Sequence, residues 1–320
     1  MLDNIKNGAL SLLYNCANLH KDEKALIISD KYTQEIGENI KFVADVEGLN
    51  ITHITTEAFS MHGEEPSIAI AEKMLKYNVV MGLTKMSMAH SKARFEFSSN
   101  GGRYLSLPDY SMDVLSSKAL TYDFRLLTDL SVKIANLMTA GNSIRLTTNK
   151  GTDLLCNIKN RIGNAAPGWC FDKGIIASPP DSETNIAPIE EDSNGIIVVD
   201  GSIPCSQIGL LKDSVTLYIK NGKVIKVIGY CGETLTKMFN DAGPKSRIIA
   251  EIGIGLNPFA KLCGSMLEDE GCLGTAHIGI GANATIGGQN NVAFHLDHIM
   301  NNVTLYIDEH IIMKDGHLLI

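Results

Sequence analysis

The sequence lacks any run approaching the roughly 18 consecutive apolar residues that a membrane-spanning helix needs, so no stretch of it reads as a transmembrane segment. A secretory signal is missing too: Met1-Leu-Asp-Asn-Ile-Lys-Asn-Gly8 carries an early acid and no long apolar stretch follows. Both absences point to a cytoplasmic protein. Positive charge is scarce, with 28 Lys and Arg against 36 Asp and Glu and a formal net charge of -8, which disfavours a phosphate backbone as partner. Neither nucleic acid nor a membrane is expected to bind. The seven cysteines, at positions 16, 156, 170, 205, 231, 263 and 272, form no Cys-x-x-Cys pair, and their odd number makes a poor disulfide framework. They read as reduced, buried thiols. There is no low-complexity segment and no internal repeat; the two Val-Thr-Leu-Tyr-Ile stretches at 215–219 and 303–307 match over five residues only.

What is present is a chain of 320 residues, 44% hydrophobic and with 29 glycines, enough for two ordinary cores. Residues 1–141 alternate short β-branched runs with helical patterns, which predicts an open parallel-sheet α/β domain. Strands are read at Ala25–Ser29, Ile51–Thr55 and Val79–Leu83, with helices over 34–45 and 67–76. A bridging helix over 125–139 places Leu126, Leu130, Ile134 and Leu137 on one face, with Gly141 as its C-terminal cap. Residues 142–320 read as a strand-rich α+β domain with hairpins at 143–156, 215–227 and 303–314.

Five of the nine histidines fall after residue 276. In Phe294-His-Leu-Asp-His298, strand alternation puts His295 and Asp297 on one face and His298 on the other. Thr275-Ala-His-Ile-Gly-Ile-Gly281 presents His277 with only glycines beside it, a face open to a ligand or a close backbone. The loop between them, rich in Asn and Gly, allows the two strands to be sheet neighbours. Two imidazoles and a carboxylate are the minimum donor set for Zn, Mn, Co or Fe(II). Gly279-Ile-Gly-Ala-Asn-Ala284 also fits a loose dinucleotide pattern, but it runs into Gly287-Gly288 instead of opening a helix and is rejected.

Four motifs in order, Ala177-Ser-Pro-Pro-Asp-Ser-Glu183 with Asn194 to Ser202, Ala250-Glu-Ile-Gly-Ile-Gly-Leu-Asn-Pro258, Gly274 to Gly281, and Phe294-His-Leu-Asp297, resemble the thermophilic metallo-aminopeptidases of the aminopeptidase T group. The resemblance implies a metal site of Glu183, Glu251, His277, His295 and Asp297, with Glu251, or a nearby acid such as Glu270, as general base. It implies a hydrolase of small peptides or amides using divalent Zn, Co or Mn, an active site in the cleft between the domains, and a homodimer. Where the peptidase branch places a tyrosine after its first histidine, Gly281-Ala-Asn-Ala-Thr285 has none. A related branch, the dihydroxypyridine ring-opening dioxygenases, binds one Fe(II), a role His277, His295 and Asp297 would fill, with Glu183 and Glu251 as supporting contacts. A third reading is an inactive binding protein. In the N-terminal half, Thr84 to Arg94 follows the third strand, where α/β sheets place ligand loops, and His90 and Arg94 are candidates for proton transfer or for holding a substrate carboxylate.

Overall fold

The structure, a computed structural model, describes residues 2–320 and divides into two compact units. Unit 1 takes in the described residues up to Leu126 together with Pro167–Pro180. Its sheet is parallel throughout: β1 (Lys24–Ser29) lies between β2 (Asn50–Thr55) and β3 (Val79–Leu83), β4 (Arg103–Ser106) follows β3, and the two-residue strand Ile176–Ala177 closes the edge. The apolar runs of β1 and β3 are buried almost residue for residue, as strands covered on both faces must be. Helix α1 (Leu2–Leu10) precedes this sheet, α2 (Gln34–Val46) buries Ile36, Ile40, Val43 and Ala44 at helical spacing, and α3 (Ile68–Met74) and α4 (Lys92–Ser99) start from Ser67 and Ser91 caps. The chain runs outward in opposite directions from the β1–β3 pair, where open α/β sheets take ligands. Here Asp30 fills that point itself, accepting from Tyr32 N (2.9 Å) and Lys85 N (2.7 Å).

Unit 2, Leu127–Ala166 with Asp181–Ile320, is built on two antiparallel sheets. The helix read as a bridge, α5 (Thr128–Ala140), falls in this unit, and Pro167–Pro180 returns to unit 1 by pairing beside β4. The inward face of α5 also differs from the expected one. Ser131, Ile134, Ala135 and Met138 are buried, while Leu126 is 68% exposed and Leu137 also faces out. The Ser131 hydroxyl explains the rotation: it lies 3.1 Å from Glu183 O and 3.2 Å from Thr184 Oγ1, and hydrogen bonding to both turns a polar residue inward.

The strands of unit 2 are β5 (Ser143–Thr147), β6 (Asp153–Asn157), β7 (Asn164–Ala166), β8 (Glu183–Ile186), β9 (Ser193–Val199), β10 (Val215–Lys220), β11 (Lys223–Gly229), β12 (Ile249–Gly255), β13 (Thr275–Gly281), β14 (His295–Asn301), β15 (Thr304–Ile307) and β16 (His310–Lys314). Besides short edge strands, one sheet runs β11-β10-β9-β6-β5-β15-β16 and the other β14-β13-β12-β8-β7. All three predicted hairpins form, as does the β13–β14 neighbourhood. On one face of the second sheet Ile252, Ile254, Ile278, Ile280 and Met300 are fully buried. Thr152 Oγ1 reaches both Val198 O (3.2 Å) and Met300 Sδ (3.5 Å), tying β9 to β14 through this core. The opposite face carries the site. Among the described residues no helix is long and apolar enough to cross a membrane.

Candidate metal centre

Residues paired directly across antiparallel strands share a face of the sheet. The register pairs Glu183 with Gly255, Gly253 with His277, Glu251 with Gly279, Gly279 with Asp297, and Gly281 with His295. All five candidate ligands therefore stand on one face of the adjacent strands β14, β13, β12 and β8, and a glycine faces each. The glycines are required by close approach. A Cβ at Gly253 would lie 2.0 Å from His277 Nε2, and one at Gly279 would lie 2.8 Å from both Glu251 Cβ and His295 Cε1. Glu183 is a buried strand residue and not a loop acid, and α5 fixes its strand through Ser131.

Two groups of donors converge, Glu183, Glu251 and His277 in one and Glu251, His295 and Asp297 in the other, each with its ligand atoms within 4.8 Å of one another. Glu251 belongs to both. His277 Nε2 lies 3.0 Å from Glu183 Oε2 and 3.9 Å from Glu251 Oε1, and His295 Nε2 lies 3.3 Å from Glu251 Oε2 and 3.2 Å from Asp297 Oδ1. His90 sits in unit 1, exposed on the turn before the Ser91 cap, and belongs to neither group.

These contacts fit a cation. His295 Nδ1 is 2.7 Å from the Ala282 carbonyl, an acceptor only, so Nδ1 carries the proton and the Nε2 lone pair faces two carboxylates. Lone pair against carboxylate is repulsive unless a proton or a metal stands between them. His277 Nδ1 is buried without a hydrogen bond, and Glu183 Oε2 has only the His277 Nε2 contact at 3.0 Å, which a site assembled for protein partners alone would not leave.

Electrostatics says the same. Burial alone would lower both histidines, but Glu183 and Glu251 around His277, and Asp297 and Glu251 around His295, outweigh it and hold both well above the ordinary imidazole value. Burial likewise pushes Asp297 up, and the His295 charge and hydrogen bond more than reverse it. Two acids beside the site are raised well above normal. For Asp181 the causes are burial and then Glu183; for Glu270 they are burial and then Asp297. Both keep a buried oxygen without a hydrogen bond, Oδ1 and Oε1 respectively. Sequence reasoning named Glu270 only as an alternative base and gave Asp181 no role, although it stands two residues before Glu183 in the same motif.

The family model described as NicX: 2,5-dihydroxypyridine 5,6-dioxygenase matches residues 13–320, a span that contains all five candidate ligands. The chain belongs to this family. Two solved structures share the fold of this dioxygenase family member. The 2,5-dihydroxypyridine dioxygenase from Pseudomonas putida KT2440 is similar at 18% identity and a TM-score of 0.83, over 99% of this chain and 96% of that one. AmpT from Thermus thermophilus is similar at 14% identity and a TM-score of 0.70, over 99% of each chain. No curated protein matches the chain. The family match overturns the expectation of a peptide- or amide-cleaving hydrolase: the likeness to AmpT is one of fold, whereas the sequence itself belongs to a dioxygenase family. Enzyme status, the α/β plus strand-rich architecture and a place for a divalent metal stand.

Proposed function

We propose that this protein is an Fe(II)-dependent ring-opening dioxygenase acting on a hydroxylated pyridine of the 2,5-dihydroxypyridine type. The observation that carries the reading is membership of the dioxygenase family over residues 13–320, supported by an oxygen- and imidazole-rich donor set suited to ferrous iron. His277, His295 and Asp297 would hold the metal, with Glu251, common to both donor groups, and Glu183 as supporting contacts. Ferrous iron, when bound, supplies the redox chemistry by which O₂ is inserted into an aromatic ring.

The chain's own residues supply the rest. Ala282 O holds the Nδ1 proton of His295 and leaves Nε2 to donate. Gly253 and Gly279 keep the face clear, so the donors approach one another without backbone strain. Asp181 and Glu270 stand beside the ligands with their carboxyls pushed up by burial and then by Glu183 and Asp297 respectively. The test is oxygen uptake with 2,5-dihydroxypyridine by anaerobically iron-loaded protein. Consumption of O₂ and substrate in equal amounts is expected; iron-loaded protein that turns over no dihydroxypyridine refutes the reading.

A further inference from the structure

The row of residues that crosses the second sheet at His277 contains two asparagines with no part in the donor groups. The register pairs Asn164 on β7 with Asn185 on β8, Asn185 with Gly253 on β12, and Gly253 with His277 on β13. All four therefore share the face that carries the ligands. Gly253 has no side chain, so the His277 imidazole lies across it and brings Nε2 to 3.0 Å from Glu183 Oε2. Asn185, only 6% exposed, stands two residues after Glu183 on the same strand and so on the same face.

The direction of every hydrogen bond in this row is fixed from one end. Ile286 O, in the loop between β13 and β14, can only accept, so the Asn164 group 3.2 Å from it is the amide nitrogen. The same nitrogen donates its other N–H to Asn185 Oδ1 at 3.0 Å. Asn185 must then turn Nδ2 the other way, and it donates to Glu183 Oε1 at 2.6 Å. A flipped Asn185 would set its oxygen against a carboxylate, and two acceptors face to face repel. The two oxygens of Glu183 are thereby made unequal. Oε1 is held by the amide, while Oε2 has only the His277 imidazole before it.

We propose that Asn185 is a positioning residue: it anchors Glu183 through Oε1, so that a single carboxylate oxygen, Oε2, is presented to His277. The relay runs from the loop that joins the two histidine strands, through Asn164 and Asn185, to Glu183. Without it the carboxylate is free to rotate, and the support it gives to the imidazole is lost. The inference rests on the reading of this face as a metal centre and not on the ring-opening reaction proposed for it.

The test is a double-mutant cycle on the full-length protein, read as Fe(II) affinity by anaerobic competition with a chelator. Asn185→Leu, close in volume but without a donor, is expected to weaken binding by about three- to tenfold in the wild-type background and to change nothing once Glu183→Ala is present. Equal losses in the two backgrounds would show that Asn185 does not act through Glu183, and they overturn the proposal. Asn185→Asp separates orientation from charge. By charge alone another acid beside the site would tighten cation binding, yet at pH 8 it would repel Glu183 Oε1, so weaker binding is expected and tighter binding overturns the proposal. If Asn185→Leu does not fold, Asn185→Ser, too short to reach Oε1, takes its place in the cycle. Wild-type protein that takes up no Fe(II) defeats the metal reading by itself, and the same cycle on the metal-free unfolding midpoint then decides the positioning. Asn185→Leu should lower that midpoint more in the wild-type background than beside Glu183→Ala; equal lowering overturns the proposal.

Discussion

Glu251 is the side chain on which both donor groups depend, one carboxylate oxygen facing His277 and the other facing His295. Its loss is therefore expected to cost more metal affinity than loss of Glu183, which belongs to one group only. Removing groups that support a metal ligand costs about 10- to 100-fold, so Glu251→Ala should reach the upper end of that range and Glu183→Ala the lower end. Competition with a chelator of known affinity measures both, and equal losses would count against a shared role. A second residue acts through the loop that leads to His295. Glu190 pairs with Arg161 Nη2 (2.5 Å) and accepts from Gln289 N (2.6 Å) and Asn283 Nδ2 (3.1 Å). Burial would raise its pKa, but these hydrogen bonds and the Arg161 charge outweigh burial and leave it below the usual value. A depressed carboxylate stabilises the fold above the unfolded pKa of about 4.3 and loses that contribution as pH falls through the folded value. Glu190→Gln should thus cost about 1–3 kcal/mol near neutral pH. In denaturant titrations the gap to wild type should close below about pH 4; a gap independent of pH would contradict this account.

Strand alternation made much of the site legible before any coordinates. His277, His295 and Asp297 fall on one face of neighbouring strands because the side-chain period is two, and the glycines beside His277 marked that face as open. The convergence of Glu183 and Glu251 on the same face was available only through family resemblance, since no local pattern reports which strand lies beside which. Helix α5 shows the limit of periodicity: Leu126, Leu130, Ile134 and Leu137 make a plausible stripe, yet the hydrogen bonds of Ser131 to β8 choose a different one. Asp181 escaped because its burial is imposed by segments distant in sequence, and the return of Pro167–Pro180 to unit 1 rests on a strand of two residues. At this scale the glycine ladder can be tested directly. Gly253→Ala would ordinarily favour a strand slightly by restricting the unfolded chain. Here its methyl would stand 2.0 Å from His277 Nε2, backed by the sheet, so the imidazole has to move. Retained circular dichroism and unfolding midpoint with at least about tenfold weaker iron binding are expected; wild-type iron affinity would show that the imidazole position is immaterial.

Across the whole molecule a net charge of -8 is combined with a concentration of acids on one buried sheet face. Without metal, the charges of Glu183, Glu251 and Asp297 are balanced by protons on His277 and His295, which is why both imidazoles are pushed upward. A divalent ion replaces those protons, so uptake should release protons and strengthen as pH rises towards the raised imidazole values, where less work is needed to deprotonate the ligands. Because the unfolded chain has no assembled site, the binding energy appears as folding stability, about 2.7 kcal/mol when free metal is 100 times the dissociation constant. For a unit of this size that corresponds to roughly 5–10 °C in unfolding midpoint. Anaerobic calorimetry with and without Fe(II), at pH 6 and pH 8, measures the effect. A rise that is larger at pH 8 is expected, accompanied by slower amide exchange in β8, β12, β13 and β14, the strands that carry the ligands. A rise of equal size at both pH values would mean that the metal enters without displacing the imidazole protons, contrary to the charge balance that the carboxylates impose.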